Sequence, residues 1–259
     1  MNADRKLSVK QRICWVFLAL SNYTKSLFIK NDIKIIKNIP LVHQVITGRS
    51  SPTRVYTENL IYNYIPWNEL KNELKEIYIC EFGCGNLRYL RAFNNLLGEG
   101  NFKYIGIEAP GFKLNKETNN LLNDKIQFVN QDLNKGVPDN IKNCNVFLSF
   151  SVLEHIDEIQ SFTEKYSAKA SAGSYHYHSV PTFLSIFNYL WHGCRHFNSI
   201  EIKELLKYFS NEKTGIIFYV GLITLIFHSL LITSTSLFFK VFKRNSKIEH
   251  FSYKLAISI

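Results

Sequence analysis

The sequence predicts an α/β fold, a mostly parallel sheet with helices on both faces, preceded by an N-terminal helical extension. Two observations predict it. Short apolar runs alternate with stretches of helical spacing through the middle of the chain, as in right-handed βαβ units. The glycine and acidic residues of that region fall just after the apolar runs, where parallel sheets bind their ligands. The 259 residues suit one large domain with appendages, a domain averaging about 150 residues.

Residues 1–72 read as a basic helical extension and 73–259 as the main domain, with 211–259 unusually hydrophobic. Arg5, Lys6, Lys10 and Arg12 precede the apolar run Ile13–Leu20. That run mimics a signal peptide but falls short of the roughly 20 residues of a membrane-spanning helix. It reads as a helix packed on the domain, or as one resting on a membrane surface with Trp15, Phe17 and Phe28 inserted. Ser51 and Pro52 are an N-cap and first-turn pair, so a helix runs from about Pro52 to Tyr64 and stops before Pro66.

Ile77–Cys80 is a buried strand leading into Glu81-Phe-Gly-Cys-Gly85. Leu87, Leu90, Phe93, Leu96 and Leu97 then give a helix over Asn86–Leu97. Tyr104–Ile107, Ile126–Val129 and Val146–Phe150 are the next strands, and a fifth carries His176 and His178. Ile216–Val220 reads as a sixth core strand, followed by a turn at Gly221 and a buried helix. The rival reading is a membrane-resting or embedded segment, because residues 214–239 contain no charged residue and Lys240, Lys243 and Arg244 follow. Tyr253–Ile259 reads as a last edge strand.

Gly83 and Gly85 stand where a strand turns into a helix, which calls for positive φ and close approach to a ligand. Arg88 occupies the third glycine of a GxGxxG dinucleotide loop, and Glu81 would repel a pyrophosphate. A carboxylate at Glu81 suits a ligand with an amino group instead. Glu108, ending the next strand, is placed for ribose hydroxyls, and Asp132 for an exocyclic amine such as that of adenine. Amine, ribose and adenine together describe S-adenosyl-L-methionine.

Glu81-Phe-Gly-Cys-Gly85, Glu108, Gln131-Asp132 and Ser151-Val-Leu-Glu-His155 resemble the successive motifs of class I S-adenosylmethionine-dependent methyltransferases. The resemblance covers about residues 75–210 and implies a Rossmann-like sheet. It adds Cys84 and Phe150 to the cofactor residues Glu81, Gly83, Gly85, Glu108 and Asp132. The family has a third glycine where this chain has Leu87, whose side chain would crowd the methionine tail.

His178-Ser-Val-Pro181, Tyr189-Leu-Trp-His-Gly-Cys-Arg195 and Gly48-Arg-Ser-Ser-Pro-Thr-Arg54 are similar to segments of methyltransferases associated with surface-polysaccharide biosynthesis. That likeness implies a glycan or glycolipid acceptor, or a smaller molecule of that kind.

A hydroxyl acceptor gains from a general base, and histidine has a suitable pKa. Among His155, His176, His178, His192 and His196, the pair His178 and His192 is the candidate, although His155 reads equally as a helix cap and His192 as a core histidine. Arg195 is placed for a phosphate or carboxylate of the acceptor or for a structural salt bridge. H-x-H and H-x-C-x-H match no familiar zinc spacing, so no metal is expected.

Disordered and collagen-like classes are excluded by the 46% apolar content and the 12 Gly and 6 Pro. Five scattered cysteines, Cys14, Cys80, Cys84, Cys144 and Cys194, argue against a secreted disulfide scaffold. The formal charge of +10 invites nucleic acid or an anionic membrane. Much of it lies at the two ends, beside the apolar runs, whereas Glu81, Glu108, Asp132 and Glu154 mark the strand ends. That distribution fits a membrane-surface enzyme better than a nucleic-acid binder. With the cysteines, which favour a reducing cytosol, it leads to the expectation of a cytoplasmic protein at the inner face of a membrane. A nucleic-acid methyltransferase is the alternative enzyme, although Ser149-Phe-Ser-Val lacks the Asn/Asp-Pro-Pro-aromatic signature of enzymes that methylate DNA amino groups. A membrane-associated scaffold without turnover is the non-enzymatic alternative, prompted by Leu87.

Overall fold

The computed structural model describes residues 52–181, 197–209, Arg195, the strand pairs 35–36 and 216–217, and nine residues between Lys10 and Thr24. The chain forms two compact units. One contains the described residues of Tyr62–Val180 and of Glu204–Ser210, and the other those of 4–61, 181–203 and 211–259.

The first unit is built on five parallel strands: β1 (Ile77–Phe82), β2 (Phe102–Glu108), β3 (Ile126–Asn130), β4 (Val146–Phe150) and β5 (Tyr175–Ser179). Their order is β3-β2-β1-β4-β5, with parallel pairing throughout. Chain order therefore reverses direction between β1 and β4, and such a switch point opens a crevice at the strands' carboxyl ends. This is the α/β fold that the alternation of elements predicts. The first five expected strands form, and β1, β2 and β3 extend one or two residues beyond their apolar runs.

Period-two alternation assigns each side chain to a face. On one face Phe82 meets Phe162 and Tyr166 of α5 (Ile159–Lys169), at ring distances of 5.4 and 5.1 Å. On the other, Phe93 of α3 (Leu90–Leu97) packs 6.4 Å from Phe102 and 6.0 Å from Tyr104. The three central strands β1, β2 and β4 are consequently apolar and buried almost throughout, as strands covered on both faces require. The edge strands β3 and β5 instead carry polar, half-buried residues.

Helix α1 spans Pro52–Asn63, one residue short of its expected end. Helix α2 (Trp67–Glu73) begins directly after Pro66, with Trp67 and Leu70 buried. Trp67 lies 5.8 Å from Phe93, so α2 belongs to the sheet-bearing unit although it falls in the stretch read as extension. Helix α3 starts at Leu90 instead of Asn86, because the preceding residues are spent on the turn that carries the glycines. Two further helices are α4 (Lys116–Asn119), capped by the Asn115 side chain, and α6 (Ser199–Leu206).

In the second unit Ile35–Ile36 and Ile216–Ile217 pair in parallel as a separate two-stranded sheet. The expected sixth core strand is thereby corrected: Ile216 and Ile217 bond to Ile35 and Ile36, not to the main sheet. An apolar run signals a strand but carries no information about its partner. Gly221, the helix expected after it and Tyr253–Ile259 lie outside the described residues. Among the described residues, no helix is long and apolar enough to cross a membrane.

Candidate functional site

The glycine loop follows β1 at the switch point. Gly83 (φ +68°) donates its N–H to the Ile107 carbonyl at 2.7 Å, tying the loop to β2. A β-carbon on Gly83 would lie 2.2 Å from Cγ2 of Val152, so the loop passes too close to the β4 side for any side chain. Gly85 (φ +56°) has the opposite setting: a β-carbon there would meet nothing within 4 Å. One glycine serves packing, and the other leaves space above the loop.

Glu108, half-buried at the end of β2, closes the arrangement. Its Oε2 accepts the Gly85 N–H at 2.8 Å and its Oε1 accepts the Ala109 N–H at 2.9 Å. Each oxygen keeps a lone pair, so the carboxylate can still accept from hydroxyls of a ligand. The Gln131 N–H donates to the Glu108 carbonyl at 2.8 Å, bringing the loop after β3 to the same rim. There Oδ1 of Asp132 accepts the Asn134 N–H at 3.0 Å, and Oδ1 of Asn134 accepts the Asp157 N–H at 2.8 Å. Phe150 ends β4 half-buried, 5.2 Å edge-on from Tyr89. Ser151 follows in a left-handed conformation (φ +57°).

Glu81 sits lower, 1% exposed, where its Oε2 accepts the Tyr104 hydroxyl at 2.6 Å. The register explains the room for it. Glu81 lies opposite Gly106, and Tyr104 is its diagonal neighbour. A β-carbon at Gly106 would come within 3.0 Å of Tyr104, 2.8 Å of Leu87 and 2.7 Å of the Cys84 sulfur. Burial pushes the Glu81 carboxyl up to about 8, with the nearby Glu108 adding to the shift and the Tyr104 hydroxyl and Arg88 opposing it. Burial also raises the Cys84 thiol, which stays neutral.

Leu87 takes up the third-glycine position with φ +48°. Its backbone adopts the left-handed conformation at a cost of about 1–2 kcal/mol, and its side chain is 4% exposed, turned into the core against Gly106. The crowding expected above the loop therefore falls within the core.

The loop, strand-end and rim residues Gly83, Cys84, Gly85, Glu108, Asp132 and Phe150 gather at the carboxyl ends of β1–β4, with Glu81 beneath them. His178 does not join them. It projects from β5 on the α5 face, where Nδ1 hydrogen-bonds Ser149 Oγ at 2.7 Å and Nε2 lies 3.3 Å from the Tyr166 hydroxyl. Tyr166 also bonds Nδ1 of His176, whose Nε2 is 2.8 Å from Ser174 Oγ. Burial, with His176 nearby, pushes His178 down to about 3, and burial pushes His176 down to about 4. A neutral imidazole with both nitrogens engaged is a weak base, and His178 stands half-buried on the α5 face with both nitrogens so engaged. His192, Cys194 and His196 lie outside the described residues.

Sequence reasoning missed Tyr104, Asn134 and Ser149. A glycine inside an apolar strand, Gly106, was the available signal that something approaches β2 closely. Partners across strands need the register, which one sequence does not supply.

No protein-family model matches the chain, and no curated protein matches it. Solved structures similar to it include an S-adenosylmethionine-dependent methyltransferase from Mesorhizobium loti, at 15% identity over 57% of this chain and 82% of that one, TM-score 0.40. The trans-methyltransferase CalH in complex with SAH is 15% identical over 58% of this chain and 47% of its own, TM-score 0.43. The mitomycin 7-O-methyltransferase MmcR is 13% identical over 78% and 67%, TM-score 0.41.

Proposed function

We propose that this protein is an S-adenosylmethionine-dependent methyltransferase acting on an oxygen of a glycan, glycolipid or related small-molecule acceptor. The observation that carries the reading is the glycine loop at the switch point, open above Gly85 and tied by its N–H to the Glu108 carboxylate. That donor set fits the cofactor: Glu108 keeps lone pairs for ribose hydroxyls, and Asp132 has a second oxygen for the adenine amine. Phe150 and Tyr89 offer an aromatic edge at the end of β4.

When bound, the cofactor supplies a methyl group already activated on a sulfonium. What remains for the chain is to hold and orient. Proximity and orientation can supply about 7–11 kcal/mol of the barrier, so such a site needs few reactive groups. The Asn134 bond to Asp157 and the Gln131 bond to Glu108 fix the rim loops for that task. The glycan acceptor rests on the segments around His178–Pro181 and Tyr189–Arg195.

A second observation supports contact with a membrane surface. The described residues between Lys10 and Thr24 are helical, and Ile13, Phe17, Leu18 and Leu20 are 52%, 67%, 63% and 39% exposed. Spacings of four and three put Ile13, Phe17 and Leu20 on one side of the helix, near the basic residues of the N-terminus.

The test is transfer of a labelled methyl group from S-adenosylmethionine into glycan, glycolipid and small-sugar fractions. Label incorporated by the native protein and lost in Glu108→Ala is the expected result. Label confined to RNA or DNA would overturn the acceptor, and label in no fraction would overturn the activity.

A further inference from the structure

Two carboxyl groups lie under the same glycine loop, and they are held differently. Glu108, at the rim, accepts two backbone N–H groups. Glu81 is 1% exposed, and its carboxyl is held by the hydroxyl of Tyr104, itself fully buried. The groups that act on Glu81 are Tyr104 and Glu108 of β2, Cys84 and Arg88 of the loop, and, from the other face of β1, Cys80. Arg88 is the cation among them, and it is exposed, so solvent screens its attraction. Opposite Glu81 on β2 is Gly106, with no side chain at all.

A carboxylate removed from water and held by a neutral hydroxyl is disfavoured, and a second carboxylate nearby disfavours it further. The protonated form escapes both penalties. A ligand that brings a positive charge reverses the balance, because ionised Glu81 then gains a partner.

We propose that Glu81 holds a proton before the cofactor is loaded and gives it up to solvent when the cofactor's ammonium group reaches the loop, so that loading releases a proton. The inference deepens the methyltransferase reading and rests on it. In the step, the carboxyl O–H bond breaks and its proton passes to a buffer base. The resulting carboxylate accepts from the ammonium and, still, from the Tyr104 hydroxyl. Tyr104 is a positioning residue: its hydroxyl donates to Oε2 and so orients the carboxyl group, whose departing proton is carried on Oε1.

The experiment is titration calorimetry of the full chain with S-adenosylmethionine and S-adenosylhomocysteine, from about pH 6 to about pH 7. That window lies below the titration of the ligands' own amino groups, about 7.7–8.0. Two buffers of different ionisation enthalpy give the proton count. Close to one proton released per ligand, and binding about tenfold tighter across that pH unit, are expected. Glu81→Gln binds with the pH dependence lost, whereas Tyr104→Phe binds more weakly and keeps it. Native binding that is independent of pH, with heats independent of buffer, overturns the proposal, as does a Glu81→Gln variant with the native slope. Should the variant fail to fold, the native proton count decides. Failure of both ligands to bind at any pH overturns the methyltransferase reading and this inference with it.

Discussion

Individual residues here carry opposing terms whose magnitudes can be compared. Leu87 pays about 1–2 kcal/mol for its left-handed backbone, while deleting a buried leucine side chain typically loses about 2–5 kcal/mol. Burial wins, so Leu87→Gly is expected to destabilise the protein by roughly 1–3 kcal/mol despite relieving the backbone. Urea denaturation measures it. At Gly83 both terms point one way: alanine would be strained at φ +68° and would overlap Val152. Gly83→Ala should cost about 2–4 kcal/mol by the same measurement. Glu81 gives a prediction that needs no ligand. Its carboxyl is raised from 4.5 to about 8, so between those values the folded state binds more protons than the unfolded one. Stability then falls as pH rises through that range. Glu81→Gln should remove this decline relative to the native protein, in urea denaturation repeated from about pH 6.5 to about pH 8.

At the scale of elements, β5 joins two half-buried imidazoles to α5 through Tyr166. His176 and His178 titrate near 4 and 3 when folded and at 6.5 when unfolded, so the unfolded chain binds more protons below 6.5. Stability is therefore lost as pH falls from 6.5 towards 3, by up to about 1.4 kcal/mol per pH unit for each histidine. Replacing both with glutamine should flatten this acid limb in thermal melts recorded against pH, and an unchanged limb would place the titration elsewhere. The strands were legible because each is a run of β-branched and aromatic residues with a turn signal at its end. The loop was legible because glycines and acids concentrate there. The start of α3 was not, because Leu87 belongs to the apolar stripe yet sits in the turn. The role of His178 was not legible either. Its position near a strand end suggested the cleft, but alternation along β5 sends it to the α5 face beside Ser149 and Tyr166. Ile216–Ile217 likewise looked like a core strand, and its apolar character was right while its partner was not.

For the whole molecule, the +10 charge and the apolar side chains belong to one pattern. The basic N-terminus adjoins the exposed Ile13, Phe17, Leu18 and Leu20, while the strand ends are marked by Glu81, Glu108 and Asp132. Sedimentation with vesicles containing anionic lipid should therefore carry the protein down, and Phe17→Ser with Leu18→Ser should weaken that binding while cofactor affinity holds. Equal sedimentation of native protein and variant would remove the membrane reading. Everything else depends on whether the crevice at the strand ends accepts the cofactor. The direct measurement is calorimetric titration of the native chain and Glu108→Ala with S-adenosylmethionine at neutral pH. Hydrogen bonds to a charged group are worth about 1.5–3 kcal/mol, so saturable binding at one site per chain, weakened at least about tenfold by the substitution, is predicted. No binding by the native protein, or equal binding by both, would contradict it.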